Sequence, residues 1–254
     1  MAEATPREAA LAGRERARLL VRDPRRSPYA VVGRFDVPPG GEALIDALEP
    51  AVRVAERDGV FKIDGKLEAL PGAFIERGRY VLKLSHQNFP AVLVLDTESP
   101  RVREGPPPRW FDYDERLRVP ARLQRDAEPR EVIVQSTLGL RRRALRLGFL
   151  EAEVAGARAR LLALRLLEPG VEEAALSIFF RDETCGALSY GVGRYLDPEP
   201  SAADDRYTLD FNRAYNPLCA FSPHFNCPIP PRENLLSVKI LAGEQDPDPA
   251  AHSA

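Results

Sequence analysis

Residues 52–63 read VRVAERDGVFKI, and this stretch decides the fold class. Apolar and polar side chains largely alternate before and after Asp58-Gly59. A period of two is typical of a β-strand with one buried face, and Asp-Gly accepts the positive φ angles of a tight type I′ turn. The stretch therefore predicts a β-hairpin and, with it, an antiparallel sheet.

The same alternation continues along the chain on both sides of this hairpin. Further strands are predicted at 80–84, 91–95, 117–123, 131–136, 143–154, 157–167, 176–180, 187–196, 207–211 and 235–241. Residues 5–21, rich in Ala and Leu with Glu and Arg interleaved, predict one amphipathic helix. We therefore expect a mainly β protein: an antiparallel β-sandwich or barrel with an N-terminal helix and a long ordered irregular loop near the C-terminus.

Two of the predicted strands contain residues that weaken the strand pattern. Pro120 lies within 117–123, and because proline cannot donate to a ladder, we expect this strand at a sheet edge or at a bulge. The segment 157–167 is rich in Ala, Leu and Arg, which also suit a helix. The preceding Ala155-Gly156 resembles a hairpin turn and favours a strand.

The domain organisation expected from these elements is a single β-rich domain over residues 1–244. Residues 104–108, which read EGPPP, form the strongest break in the pattern and mark an alternative boundary between two subdomains. Residues 245–254 are polar and contain proline, and we predict that they form a disordered tail.

The composition narrows the class of protein. The net charge is −2, from 36 basic and 38 acidic residues, so no excess of charge attracts nucleic acid or an anionic membrane. No apolar run reaches the roughly 20 residues that cross a bilayer, and the N-terminal stretch does not resemble a secretory signal. The three cysteines are an odd number, which argues against a disulfide framework. We expect a cytoplasmic protein with neither nucleic acid nor membrane as a partner.

The most unusual segment lies between residues 210 and 244 and reads DFNRAYNPLCAFSPHFNCPIPPRENLLSVKILAGE. Between Asn212 and Asn234 it contains five prolines and four asparagines. Proline cannot join a ladder, and asparagine side chains stabilise turns, so we predict a long irregular loop. Its aromatic side chains are too apolar to leave in water, which indicates an ordered loop. Binding and catalytic residues are often found on such loops.

This segment resembles the signature of a bacterial and archaeal family of unknown function, DUF1684. The resemblance extends to the stretches FRDETCG at 180–186 and YGVGRYL at 190–196, and to Arg109-Trp110-Phe111. It covers residues 14–244 approximately, and its C-terminal motif ends in Ala242-Gly243-Glu244. The family has no established activity, so the resemblance implies a common fold and a site in these segments, and no reaction.

The polar residues of these segments are of types that bind an anion. Arginine presents a flat, bidentate fork to a carboxylate or phosphate, and asparagine and tyrosine add hydrogen bonds. The candidate ligand-binding residues are Arg181, Asp182, Tyr190, Arg194, Asp210, Asn212, Arg213, Tyr215, Asn216, Phe221 and Asn234. An alternative is that these side chains satisfy the backbone of the loop itself, since buried polar groups need partners.

The cysteines of the loop leave three alternatives open. Cys219 and Cys227 are candidates for a catalytic nucleophile, with His86 as a base. They are also candidates for a redox pair or for metal ligands, with His224 between them. The third alternative is that both thiols are small buried side chains that pack the loop.

The function expected from the sequence is the binding of a small anionic molecule, or an enzymatic reaction on one. The pocket would lie between the 210–234 loop and the 180–194 hairpin. No nucleotide-binding or metalloprotease signature is present, and no cofactor is expected. The alternatives are a non-catalytic protein-interaction module, or a metal or redox protein that uses Cys219 and Cys227.

Overall fold

Antiparallel strands account for most of the regular structure in the computed structural model, which describes residues 4–38, 40–85, 89–167, 176–201 and 204–252. The helices are α1 (Pro6–Arg22), α2 (Arg101–Glu104) and α3 (Pro249–His252). The strands are β1 (Val31–Asp36), β2 (Glu42–Ile45), β3 (Val52–Arg57), β4 (Val60–Ile63), β5 (Leu67–Ala69), β6 (Phe74–Arg77), β7 (Tyr80–Ser85), β8 (Ala91–Asp96), β9 (Arg118–Val134), β10 (Arg142–Val154), β11 (Ala157–Leu166), β12 (Ile178–Phe180), β13 (Arg194–Leu196), β14 (Glu199–Pro200) and β15 (Arg206–Asp210).

The chain divides into two compact units. The first contains the described residues within Met1–Leu20, Pro106–Leu166 and Ala175–Ala254. The second contains those within Val21–Gly105 and Leu167–Ala174. The division after Gly105 falls inside the predicted 104–108 break. That residues 1–244 act as one domain stays a prediction.

The second unit contains the hairpin from which the fold class was predicted. Strands β3 and β4 pair antiparallel with Arg57 opposite Val60, and Asp58 and Gly59 between them have φ angles of 52° and 81°. The sheet orders are β2-β3-β4-β5 and β1-β8-β7-β6. The buried side chains of both sheets form one core, which includes Ile45, Phe61, Ile63, Leu82 and Val92. Each such side chain contributes roughly 1.5–3 kcal/mol by leaving water.

The first unit is built on a five-stranded sheet in the order β11-β10-β9-β15-β14. The segment 157–167 is a strand, as predicted, because Ala155 and Gly156 form the turn between β10 and β11 with positive φ angles. Its core includes Leu150, Leu161, Ile178, Phe180 and Phe211. Strands β12 and β13 form a separate two-stranded sheet.

A close approach of two backbones bends the long strand β10. The register shifts between Arg146 and Gly148, relative to both β9 and β11. Gly148 has a φ of 141°, and a Cβ at this position would lie 2.1 Å from the carbonyl oxygen of Gln124. Only glycine fits this bulge.

The strand around Pro120 was predicted to lie at a sheet edge or at a bulge, and the edge position is wrong. Strand β9 does contain an irregularity, between Arg125 and Arg130 and not at Pro120. Strand β9 lies between β10 and β15. Pro120 lies one residue beyond the last β9–β10 pair, Ala121 with Ala152, and opposite Thr208 of β15. The missing N–H therefore does not interrupt the β9–β10 ladder.

The predicted strand at 235–241 is also absent, and Leu235–Leu241 is irregular. The backbone of Leu236 donates to the carbonyl oxygen of Arg181, and Ile240 donates its N–H to the side chain of Asp182. A carboxylate thus replaces a neighbouring strand as the acceptor, which an alternating pattern does not reveal.

The irregular loop predicted at 210–234 is confirmed. Its regular pieces are short 3₁₀ turns at Phe211–Arg213, Leu218–Ala220 and Arg232–Asn234. The mainly β, antiparallel fold with one longer N-terminal helix is likewise confirmed, and the sheets are sandwich-like. None of the described helices has both the length and the apolar character that crossing a membrane requires.

The residues after 244 form contacts of their own. Pro249–His252 is one helical turn. The ring of His252 lies 2.7 Å from a carboxylate oxygen of Asp246 and packs edge-on against Tyr190. These contacts fall in the segment predicted as a disordered tail, and the tail's disorder stays a prediction.

Candidate functional site

Three segments of the first unit meet around Glu244. Trp110 pairs with Glu244 in an antiparallel bridge, and Phe111 donates its backbone N–H to the carbonyl oxygen of Gly243 at 3.0 Å. On the other side, the N–H of Glu244 donates to the carbonyl oxygen of Ala214 at 2.8 Å. The backbone on both sides therefore fixes the position of this side chain.

The glycine before Glu244 makes this approach possible. Gly243 has a φ of 74°, and a Cβ there would lie 2.6 Å from the carbonyl oxygen of Ala214 and 2.7 Å from that of Phe211. No side chain fits so close to backbone oxygens. The Ala242-Gly243-Glu244 motif thus presents a carboxyl group from a glycine-dependent turn.

The carboxyl group of Glu244 is buried, and its pKa lies above the usual value for a glutamate. The side chain is only 6% exposed, and Oε2 accepts the N–H of Asn216 at 2.8 Å. Burial raises the pKa of Glu244 to about 7, although the Asn216 hydrogen bond and the charge of Arg194 act to lower it. Glu244 therefore exchanges a proton in the neutral range, as acid–base groups of active sites do.

Glu244 lines a pocket of about 220 Å³. The wall contains carboxylates, arginines and aromatic rings, among them Arg14, Arg16, Trp110, Asp197, Asn212, Arg213, Tyr215 and Glu244. This volume is below the roughly 300–1,000 Å³ of sites for drug-sized ligands. The pocket suits a molecule of the size of a small organic acid.

Helix α1 brings a group of cations to the pocket. The guanidinium groups of Arg14 and Arg18 lie 5.8 and 4.9 Å from the centre of the Trp110 ring, and Arg14 also donates to the carbonyl oxygen of Phe111 at 3.0 Å. Burial and the neighbouring charge of Arg18 lower the pKa of Arg14. Among the described residues, Arg18 pairs with Glu15 at 3.5 Å, whereas neither Arg14 nor Arg16 has an ion pair. Of the two guanidinium groups over the Trp110 ring, that of Arg14 therefore has no carboxylate partner within ion-pair distance.

A second carboxyl group lies in the same pocket. Asp197 accepts hydrogen bonds from Tyr215 Oη at 3.3 Å and from Ser177 Oγ at 3.2 Å. Burial raises the pKa of Asp197, and these two bonds offset the effect only in part. Burial and the adjacent Asp197 raise the pKa of Tyr215. Arg213, next to them, is paired with Glu199.

Arg194 and Asp182, predicted to bind a ligand, form a fully buried ion pair at 3.1 Å. Arg194 also donates to the carbonyl oxygens of Ile240, Ala242 and Glu244. Asp182 accepts from the N–H of Ile240 at 2.6 Å and from Thr184. These contacts account for both residues without a ligand, because they hold the 240–244 segment in place.

The predicted asparagines also bind backbone groups. Asn234 bonds to Leu162 and to the carbonyl oxygen of Phe179. The side-chain oxygen of Asn212 accepts the backbone N–H of Asp114, and its side-chain N–H donates to the carbonyl oxygen of Asp114. The Asn216 amide donates to the carbonyl oxygen of Gln245 at 2.7 Å. These bonds agree with the alternative in which the side chains satisfy the hydrogen-bonding groups of the backbone. Asn212 also lines the pocket.

The other predicted residues are placed apart from one another. Arg181 is exposed, and Phe221 is buried. Asp210 caps the Phe211–Arg213 turn through the N–H of Asn212. His86 lies outside the described residues. Of the eleven predicted ligand-binding residues, the pocket contains Asn212, Arg213 and Tyr215.

The loop cysteines lie close together beneath Tyr190. The N–H of Cys219 donates to Cys227 Sγ at 3.4 Å. Tyr190 Oη donates to the sulfur of Cys219 at 3.7 Å and to its carbonyl oxygen at 3.3 Å. The two cysteines are not joined by a disulfide. In the described part of the chain, no group of three or more His, Cys, Asp or Glu side chains has the arrangement of a metal site.

Arg14, Trp110, Asp197 and Glu244 were not among the ligand-binding residues predicted from the sequence. Trp110 and Glu244 lie in stretches that already resembled the family, so their position was a usable signal. Asp197 follows a short strand and has no distinguishing neighbour in the sequence.

Comparisons with known proteins place the chain in a family. The model of a protein of unknown function (DUF1684) matches residues 108–245. The chain is also similar to an uncharacterized protein of Haloarcula marismortui, known from a solution NMR structure. The identity is 35% over 57% of this chain and 80% of that one, with a TM-score of 0.47. No curated protein matches the chain. Because the family model spans more than half of its residues, this chain belongs to the DUF1684 family.

Proposed function

We propose that this protein binds a small organic anion in the pocket beside Trp110. The observation that supports this most is the position of Arg14 of α1, which lies over the Trp110 ring and lines the pocket. Arg18 lies over the same ring, and Arg16 lines the same pocket. Like charges four residues apart on a helix repel. A carboxylate or phosphate would relieve this repulsion and accept charge-assisted hydrogen bonds.

The remaining lining residues define how such a ligand would be oriented. Trp110 and Tyr215 provide aromatic surface for an apolar part of the ligand. Glu244, when protonated, donates a hydrogen bond to a ligand oxygen instead of repelling it. The same group is positioned to serve as a general acid or base, because its pKa of about 7 matches a neutral operating pH.

The same proposal covers the class of ligand, the partners and the location of the protein. The ligand is a small molecule, and neither nucleic acid nor a membrane is a partner. The cytoplasm is the expected location.

Trp110 makes the proposal directly testable, because it is the only tryptophan of the chain. Citrate, succinate and inorganic phosphate would be titrated separately while the tryptophan fluorescence is recorded. We expect saturable quenching by at least one of them. Binding should be tighter at about pH 6 than at about pH 8, because protonation of Glu244 removes a negative charge from the pocket.

Two variants test whether the anion binds in the pocket or elsewhere on the protein surface. Arg14→Gln should weaken binding about tenfold or more, since one charge-assisted hydrogen bond contributes about 1.5–3 kcal/mol. Arg158→Gln removes an exposed arginine of β11 that is not among the pocket residues, and it should bind as the wild type does. No saturable quenching by any of the three anions, or equal loss in both variants, would refute the proposed site.

A further inference from the structure

The cysteine pair of the 210–234 loop is a second chemical centre that the pocket does not use. Cys219 and Cys227 are not joined by a disulfide. The N–H of Cys219 donates to Cys227 Sγ at 3.4 Å, and the N–H of Cys227 donates to Thr137 Oγ1 at 3.0 Å. The sulfur of Cys227 therefore lies against the backbone of Cys219. A disulfide can form only between cysteines that approach one another in this way.

The two thiols have different surroundings. Cys219 is half-buried, whereas Cys227 is only 7% exposed. Tyr190 Oη donates to Cys219 Sγ at 3.7 Å. The pocket residues Trp110, Asp197 and Glu244 are not among the contacts of either sulfur. Cys219 is therefore the more exposed residue of the two, and Cys227 is the more buried one.

The protonation of the pair is also unequal. The hydrogen bond from Cys227 is the largest cause that lowers the pKa of Cys219, and the bonds from Tyr190 and Thr137 act in the same direction against burial. The shared hydrogen bond and burial raise the pKa of Cys227 well above its usual range. Cys219 is therefore the more readily ionised of the two thiols, and the thiolate is the form that peroxide oxidises.

We propose that Cys219 and Cys227 form a hydroperoxide-sensitive thiol pair, with Cys219 as the attacking sulfur and Cys227 as the resolving one. The Cys219 thiolate attacks one oxygen of hydrogen peroxide, so the O–O bond breaks, an S–O bond forms and hydroxide leaves. The Cys227 thiol then attacks this sulfenic acid, forming the S–S bond while the S–O bond breaks. The thiol proton and the hydroxyl group leave as water. The proton that Cys219 lost on ionising converts the hydroxide to the second water. Counted from the two thiols, both sulfurs are oxidised and one peroxide is reduced to two waters.

Mass spectrometry of the intact, folded chain tests this proposal directly. Residues 214–232 contain both cysteines with no internal Lys or Arg, so trypsin releases them as one peptide. After treatment with equimolar hydrogen peroxide and blocking of free thiols, we expect this peptide to lose two hydrogens and to take up no blocking reagent. Cys185 should still react fully with the blocking reagent, because its sulfur forms hydrogen bonds with Asp182 and Ser189 and not with a second cysteine.

Three variants separate the roles. Cys227→Ser should stop the reaction at the sulfenic acid, so dimedone should label Cys219. Cys219→Ser should lose the oxidation product, and Cys185→Ser should form the disulfide as the wild type does. Circular dichroism confirms that each variant is folded. If peroxide leaves the 214–232 peptide reduced, or if Cys185 reacts as readily as Cys219 in Cys227→Ser, the pair is only packed side chains and the proposal fails.

Discussion

At Glu244, burial and hydrogen bonding act on a single carboxyl group in opposite directions. Burial dominates and raises the pKa to about 7 from a usual value of 4.5. Between these two values the folded protein binds a proton that the unfolded chain does not. The free energy of unfolding must therefore fall as pH rises through this window.

Replacement of Glu244 by glutamine tests this directly. Glu244→Gln keeps an acceptor for the N–H of Asn216 but cannot ionise. From about pH 4.5 to above pH 7, the free energy of unfolding of the wild type should fall by about 3 kcal/mol relative to that of the variant. This is the free energy that corresponds to the shift of the Glu244 pKa from 4.5 to about 7. Urea denaturation at several pH values measures the difference. Parallel stability curves for the two proteins would contradict the assignment.

The buried pair of Arg194 and Asp182 should be the most sensitive point near the site. Arg194→Met leaves the Asp182 charge buried without its partner, and it also removes the donors to the 240–244 carbonyl groups. We expect a loss of about 3–5 kcal/mol in the free energy of unfolding. Arg158→Gln, at an exposed position, should change it by less than about 0.5 kcal/mol. Similar effects of both substitutions in chemical denaturation would show that the pair is not buried.

At the scale of elements, the hairpins were the most predictable part of the chain. Asp58-Gly59 and Ala155-Gly156 supply the positive φ angles that their turns need, so local chemistry alone determines them. The segment 235–241 alternates equally well but is not a strand. Its partner is the carboxylate of Asp182, far away in sequence, and a local pattern holds no information on such a contact.

The bulge of β10 yields a matched pair of glycine substitutions. Gly148→Ala and Gly156→Ala both place a side chain at positive φ, but a Cβ meets Gln124 at 2.1 Å only at Gly148, and Gly156 has no atom within 4 Å. Both share the left-handed cost of about 1–2 kcal/mol. Gly148→Ala should destabilise further by about 1–3 kcal/mol, the cost of overpacking. Equal melting temperatures of the two variants would rule out the close approach.

At the scale of the whole molecule, the sequence predicted the class of fold and the region of the site better than the site itself. The 210–234 loop was predicted correctly as irregular and ordered, whereas residues 235–241 were predicted wrongly as a strand. Polar residues of this loop and of the 180–194 stretch were assigned to a ligand, although Arg194, Asn212 and Asn234 bond mainly to the backbone. The pocket also requires α1 and Trp110, and their approach to Glu244 depends on tertiary structure that no motif encodes.

Ligand binding should stabilise the protein as a whole. A ligand at one hundred times its Kd raises the free energy of unfolding by about 2.7 kcal/mol. An anion that quenches Trp110 should therefore raise the melting temperature of the wild type, and the increase should be smaller for Arg14→Gln. Differential scanning fluorimetry measures both. An equal increase in the two proteins would place the anion elsewhere.

The most direct test of the central claim is the fluorescence of Trp110 as a function of pH, without any ligand. The backbone of Trp110 forms a β-bridge with that of Glu244, and both residues line the pocket. Because Trp110 is the chain's only tryptophan, its fluorescence should report the charge of this carboxyl group. We predict a transition with a midpoint near pH 7 in the wild type, and none near this pH in Glu244→Gln. The same transition in both proteins, or no transition in the wild type, would contradict the claim that a buried, titrating Glu244 forms the centre of the site.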